Sequence, residues 1–218
     1  MKNKKLRLGV IFGGRSGEHE VSLASAISLL KVIDRGKYDL ITIAITREGR
    51  WLVDSDPKEM LETAEAGDSL TLPNDETAVT IVGDPTQRCL VRLNGGDSPN
   101  LDRRVDVVFP LLHGPFGEDG TIQGLLELAD IPYVGAGVLA SALGMDKTLM
   151  KAVFRERGLP VVDCLVVKRK DWKKDREKIV RQVEMIGYPC FVNPANLGSS
   201  VGISKVHDRQ EITEGIDT

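Results

Sequence analysis

The segment Leu6 to Phe12, LRLGVIF, is a nearly unbroken apolar run that ends in Gly13-Gly14. A run this short, apolar on both alternating faces and closed by a glycine turn, reads as a parallel strand buried on both sides. A polar loop, Arg15 to Glu20, follows. Leu23, Ala26, Leu30 and Ile33 then recur at helical spacing, which predicts a helix over Val21 to Ile33. Gly36 lies just past its end, and Tyr38 to Ile45, YDLITIAI, is a second apolar strand. Strand, helix and strand in about 40 residues make a βαβ unit. That unit commits the amino-terminal part to an α/β fold with a doubly wound parallel sheet.

Residues 54 to 104 hold Asp, Gly, Pro and Asn clusters around two short apolar runs, Ala78 to Val82 and Cys89 to Leu93, and suggest a surface excursion with a hairpin. Val105 to Leu112 returns as a core strand and ends at His113-Gly114, where a doubly wound sheet places its ligand site. A helix is expected over Gly120 to Ala129, an extended stretch over Pro132 to Val134, and a helix over Val138 to Met145. Asp146 can cap a further helix to about Arg157, stopped by Gly158 and Pro160.

Then the pattern changes. Val161 to Lys168 reads as a strand, Asp175 to Ile186 as a helix, Pro189 to Val192 and Val201 to Val206 as strands. The last two flank the Gly/Ser/Asn-rich loop Asn193 to Ser200, which suits antiparallel neighbours. A second, α+β domain is therefore expected after about residue 120, giving domains 1–120 and 121–218. Asp208 and Glu211 resemble a helix N-cap and capping box. That last helix is short, with no following partner for its apolar face, and is expected to fray.

Composition narrows the function classes. Hydrophobic residues are 41% and charged residues 28%, the balance of a soluble globular chain. A net charge of −3 gives no global attraction for nucleic acid or acidic membrane. The densest basic stretch, Lys168 to Lys178, contains three acids and reads as a solvated face. Cys89, Cys164 and Cys190 are scattered and form no CxxC pair, which argues against zinc and fits a reducing compartment. No secretory signal pattern follows Met1, and no run approaches the roughly 18 apolar residues of a membrane span. A cytoplasmic protein is expected.

Four motifs carry chemistry, and each has an ordinary explanation beside it. Gly13-Gly14-Arg15-Ser16-Gly17 is not GxGxxG, and a tight strand-to-helix turn accounts for it as well as a dinucleotide site would. Glu18 lies beyond a strand's carboxyl end, where a carboxylate can bind an ammonium group. His19-Glu20 is not HExxH, because Leu23 stands where the second histidine belongs. In the loop His113 to Gly120, HGPFGEDG, His113 would share one crevice with Glu18; a solvated loop histidine is the alternative. Asn196 to Gly202 is rich in small residues that let backbone N–H groups approach phosphate oxygens, although no Walker sequence is present and a plain hairpin loop would look the same. Lys147, beside Asp146 at a helix start, would favour a phosphate or be an ordinary surface lysine.

The order of these motifs is more specific than any one of them. GGRSGEHEVSLASA, FPLLHGPFGEDGTIQGLLELADIPYVGAG, ASALGMDKTLMK and YPCFVNPANLGSSVGISKV, in series, closely resemble the D-alanine–D-alanine ligases of the ATP-grasp superfamily from about residue 6 to 207. The resemblance implies a pre-ATP-grasp domain at 1–120 and an incomplete ATP-grasp domain at 121–218. It implies two D-alanines joined at the expense of ATP, with magnesium, through an acyl phosphate, for peptidoglycan precursor synthesis. A D-alanine–D-lactate ligase and a truncated non-catalytic homologue are the alternatives. Glu18, Val21 and His113 match the first-substrate subsite, with Glu18 on the ammonium; Ser199 matches the active-site serine of the same network. Lys147 matches a lysine on the nucleotide phosphates, and Asn193, Ser199, Ser200, Val201 and Gly202 fall in the phosphate-closing region. The family carries a second phosphate-binding lysine where this chain has Asn193. Family members continue well past this chain's last residue with the magnesium ligands, so no metal site is expected in this chain, and the 218 residues alone are expected to lack ligase activity. D-alanine and ATP are the implied partners, and a homodimer is allowed.

Overall fold

A computed structural model describes residues 4–65, 78–93, 100–198 and 201–217. The chain forms two compact units, Met1–Ala142 and Leu143–Thr218. In the first, β1 (Leu6–Gly13), α1 (His19–Val32) and β2 (Tyr38–Ile45) form the expected βαβ unit. β1 and β2 run parallel, with Leu6 opposite Tyr38 and Gly13 opposite Ile45.

The segment expected as a surface excursion joins the same sheet. It contributes β3 (Trp51–Val53), α2 (Pro57–Glu65), β4 (Ala78–Ile81), β5 (Cys89–Arg92) and β6 (Asn100–Arg104) before β7 (Val107–Pro110). The described strands lie in the order β6-β5-β4-β3-β2-β1-β7. The pairs from β2 to β6 are antiparallel, so the sheet is mixed rather than wholly parallel. The reason is local: Thr46 N donates to the Arg50 carbonyl and Gly49 N to the Thr46 carbonyl, a turn tight enough to fold β3 straight back on β2. β7 returns to the far edge of β1, parallel, with Leu8 opposite Val107 and Ile11 opposite Pro110.

Helices cover both faces, as the period-2 alternation of β1 requires. Leu8, Val10 and Phe12 pack with Leu23 and Ala26 of α1 and Met60 of α2. Ile11 faces the other way and joins a core with Ile122 and Leu126 of α3 (Thr121–Leu128). Past α3, Val108 bridges Tyr133 in parallel. Because Ile122, Leu126, Ala129 and Ile131 belong to this first core, the unit runs on to Ala142, beyond the domain change expected near residue 120. α4 (Val138–Met145) carries the chain across the division.

The second unit holds α5 (Lys147–Glu156), α6 (Arg169–Lys174), α7 (Arg176–Ile186), β8 (Cys190–Val192), β9 (Ser204–Val206) and α8 (Arg209–Asp217). β8 and β9 are antiparallel, Cys190 opposite Val206. Asp146 caps α5 by accepting from Thr148 N and Leu149 N, as expected. Three expectations are corrected here. Residues 161–168 form no strand: Leu165 and Val167 pack on the core, but no described strand takes up their backbone hydrogen bonds. The basic stretch is not merely a solvated face, because α6 buries Trp172. The terminal helix is docked rather than fraying. Ile212 of α8 lies in a core with Trp172, Ile179, Val183 and Val206, and Asp217 accepts from Trp172 Nε1 at 2.7 Å and pairs with Arg176 at 2.8 Å. Asp208 accepts from Gln210 N and Glu211 N, while Glu211 reaches back to His207 N. No helix among the described residues is long and apolar enough to cross a membrane.

Arg7 and Asp106 tie β1 to the residue that enters β7. The guanidinium meets both carboxylate oxygens at 2.7 and 3.1 Å, and Arg7 N donates to Oδ2 at 2.8 Å. The Arg7 side chain first, and its backbone amide second, hold the Asp106 carboxyl down at about 2. A depressed carboxylate stabilises the fold above its unfolded value and loses that contribution as pH falls through its folded value. The Asp106→Asn protein should therefore be ~1–2 kcal/mol less stable than the parent at pH 5, with the gap closing as pH drops from about 4 to 2. Urea titrations of both proteins at pH 5 and pH 2 measure this; a gap independent of pH would assign the loss to packing.

Candidate functional site

β1 takes β2 on one edge through a crossover on one face, and β7 on the other edge leads into α3 on the opposite face. The loops leaving β1 and β7 therefore diverge and open a crevice at the carboxyl ends of the two strands. The turn after β1 needs glycine: Gly13 has φ 87°, and a Cβ there would lie 2.3 Å from the Ile45 carbonyl oxygen. His19 packs beneath this turn, 1% exposed, with Nδ1 2.7 Å from the Gly14 carbonyl. It is a structural residue, not a ligand to anything in the crevice.

Glu18 and His113 are brought together, and Ser16 is the link. The buried Ser16 hydroxyl donates to the His113 carbonyl at 2.7 Å and accepts from Glu18 N at 3.2 Å. The Glu18 carboxylate lies against Gly114: a Cβ on that glycine would sit 2.7 Å from Oε2. Val21, half exposed one turn into α1, presents its carbonyl to the Ser25 hydroxyl at 2.8 Å, and that hydroxyl lies 3.1 Å from His113 Nε2. The neighbouring acid, Glu20, points elsewhere and pairs with Arg47. Burial opposes its ionisation, but its own backbone amide and Arg47 outweigh that and hold its carboxyl below the usual range.

The loop from β7 to α3 is held by its own side chains. Glu118 accepts from Gly114 N at 2.7 Å, Asp119 accepts from Phe116 N and Thr121 N, and Gln123 Nε2 donates to the Gly117 carbonyl at 2.9 Å. Burial again pushes the Asp119 carboxyl up, and the amides of Phe116 and Thr121 with the Thr121 side chain bring it below its ordinary value. Arg15 stacks over the Phe116 ring at 4.5 Å, fastening the β1 loop to the β7 loop. Ser16, Ser25, Glu118 and Gln123 were not singled out by sequence reasoning. Serines in a glycine turn and on a helix face give no signal until the two loops are placed side by side.

In the second unit, Lys147 and the loop after β8 are also brought together. Lys147 N donates to the Ala195 carbonyl at 3.0 Å, and its ammonium donates to the carbonyls of Pro194, at 3.2 Å, and Leu197. Two of the three ammonium donors are thus committed to the loop. Asn193 is exposed directly after β8, Val201 N donates to the Gly198 carbonyl, and Gly202 has φ 70°. Ser199 and Ser200 lie outside the described residues. Among the described residues no cluster of three or more His, Cys, Asp or Glu side chains could hold a metal ion.

The fold and crevice define an α/β chain with a polar crevice where two parallel strands end. The family model for the D-ala D-ala ligase N-terminus matches residues 7–136, and that for the D-ala D-ala ligase C-terminus matches residues 153–218. The chain belongs to the D-alanine–D-alanine ligase family. The D-alanine–D-alanine ligase of Natranaerobius thermophilus is 49% identical over 98% of this chain and 56% of its own length. That of Streptomyces avermitilis is 47% identical over 98% of this chain and 57% of its own. Among solved structures, the VanG D-Ala:D-Ser ligase from Enterococcus faecalis superposes with a TM-score of 0.79 at 35% identity, over 98% of this chain and 59% of that one. The D-alanine–D-alanine ligase from Coxiella burnetii gives 0.78 at 35%, over 98% and 57%. The chain spans somewhat over half the length of the relatives it matches.

If Ser16 holds the two loops together, its removal should loosen them. Ser16→Ala deletes a donor and an acceptor in a buried site and should cost about 1–3 kcal/mol. Hydrogen exchange of the amides of Gly114, Gly117 and Glu118 should accelerate selectively. Unchanged exchange there, with a uniform loss of stability, would relocate Ser16's role to general packing.

Proposed function

We propose that this chain carries the first-substrate subsite, and part of the nucleotide subsite, of a ligase that joins two D-alanines at the expense of ATP. The observation that carries this reading is the meeting of Glu18, Val21 and His113 at the carboxyl ends of β1 and β7 in a chain of this family. The reaction suits the groups present. A carboxylate is a poor electrophile, so the γ-phosphoryl group of ATP passes to the carboxylate oxygen of the first D-alanine, releasing ADP. The amine of the second D-alanine attacks the acyl carbon, loses a proton, and the tetrahedral intermediate expels phosphate. Glu18 holds the ammonium of the first substrate by a charge-assisted bond, with Val21 and His113 lining the pocket. By their match to the family's motifs we assign Lys147, Asn193, Ser199, Ser200, Val201 and Gly202 to the nucleotide phosphates, and Ser199 also to catalysis. Magnesium would neutralise phosphate charge during transfer. A cytoplasmic location fits a reaction that consumes ATP.

The product's second residue is the less determined half. The chain is equally similar to a solved D-Ala:D-Ser ligase and to a solved D-alanine–D-alanine ligase, so D-serine stands beside D-lactate as a second acceptor. Reactions with all three acceptors would use the same first-substrate subsite around Glu18.

In the protein that carries this chain, phosphate release and product mass, measured with ATP, magnesium, D-alanine and each acceptor, test the reading. Glu18→Gln keeps the shape and removes the ion pair, so the KM for the first D-alanine should rise by about tenfold or more while the KM for ATP stays within about twofold. Equal effects on both would remove Glu18 from the substrate site. Asn193→Lys should tighten ATP binding, since a cation about 4 Å from a phosphate charge is worth up to ~4 kcal/mol at an effective dielectric near 20. Unchanged nucleotide affinity and rate would show the asparagine to be compensated.

A further inference from the structure

Ser25 sits on α1, one turn past Val21, and its hydroxyl has neighbours on two sides. The Val21 carbonyl oxygen lies at 2.8 Å and His113 Nε2 at 3.1 Å. A serine hydroxyl has one proton to give and lone pairs to receive with. A carbonyl oxygen can only accept, and two oxygens at 2.8 Å without a proton between them repel. The Ser25 proton is therefore directed at Val21, back along the helix, which leaves a lone pair facing the imidazole. From this geometry we propose that Ser25 is a positioning residue for His113: it accepts from Nε2–H, fixes the neutral ring in the Nε2-protonated tautomer, and leaves the Nδ1 lone pair as the ring's only acceptor.

The chain contains its own contrast. His19 Nδ1 lies 2.7 Å from the Gly14 carbonyl, which can only accept, so His19 carries its proton on Nδ1. Two of the three histidines are thereby set in opposite tautomers by single fixed acceptors. The consequence for the crevice is directional. The ring can receive a proton or a hydrogen bond at Nδ1 without turning, because Ser25 holds the Nε2 side and the Ser16 hydroxyl holds the His113 carbonyl. The functional half of this inference rests on the proposed first-substrate subsite; the tautomer does not.

Long-range proton–nitrogen NMR of the 15N-labelled chain at pH 8, above the ordinary imidazole range, reads the tautomers directly, with His113→Gln assigning the signals. His113 should show a pyrrole-like Nε2 and a pyridine-like Nδ1, and His19 the reverse. Ser25→Ala should shift His113 toward a tautomer average and leave His19 unchanged. Ser25→Thr, which keeps a hydroxyl able to bond the carbonyl one turn back, should restore the single pattern. In the protein that carries this chain, Ser25→Ala should raise the KM for D-alanine by about five- to tenfold, the effect of one lost hydrogen bond, with the KM for ATP unmoved and Ser25→Thr recovering most of the loss. An Nδ1-protonated His113 in the parent, or a Ser25→Ala spectrum identical to it, overturns the proposal. A changed tautomer with an unchanged D-alanine KM overturns the positioning role. Failure of the parent protein to make any dipeptide, with the tautomers as stated, sinks the functional reading and leaves the assignment standing.

Discussion

A parallel neighbour can be reached only by a crossover, and β1 has a parallel neighbour on each edge. α1, between β1 and β2, packs into one core and α3, which follows β7, packs into the other, so the loops leaving β1 and β7 run to opposite faces of the sheet. The crevice follows from that divergence. So does the requirement that β1 be apolar on both sides: Leu8, Val10 and Phe12 serve one core while Ile11 serves the other. If the pairing of β1 with β7 were lost, Glu18 and His113 would sit on unrelated loops. The ion pair between Arg7 and Asp106 guards that pairing at the end of the strands farthest from the crevice.

Near the crevice the forces change from burial to directed polar contacts. The loops are short of apolar side chains, so they are set by hydroxyls, amides and carboxylates bonding to backbone. Ser16, Glu118, Asp119 and Gln123 each hold a specific carbonyl or N–H. Such contacts fix geometry more than they add net stability, which suits a site where placement decides binding. The second unit follows the same rule on a smaller scale, with Lys147 stitching the start of α5 to the loop after β8.

The legible parts of the sequence were those where one local rule decides the structure. The apolar runs of β1 and β2, the cap at Asp146 and the glycine ends of helices were read close to their observed limits, and so was the joint placement of Glu18 and His113. Of the strands β3 to β6, the β4–β5 hairpin was legible in the runs Ala78 to Val82 and Cys89 to Leu93, whereas β3 and β6 were not, because three to five residues carry too little periodicity. Residues 161–168 failed in the opposite sense: the alternation is there, but a strand exists only where another takes its hydrogen bonds. Trp172 was hidden by five neighbouring lysines and arginines, whose charges mask a single inward ring. Ser16 and Ser25 were invisible for a different reason. A hydroxyl's value depends on what faces it, and what faces these two comes from a loop almost a hundred residues away.

The absence of a side chain at Gly114 leaves room for the end of the Glu18 side chain. A methyl group there would meet Glu18 Oε2 at 2.7 Å in a backbone already at φ 69°. The positive φ disfavours any L side chain at 114, and the carboxylate, at the end of a flexible side chain, would have to swing aside to admit one. Glycine at 114 thus sets where the carboxylate rests rather than whether position 18 can change, so a library can vary 18 alone while keeping glycine at 114.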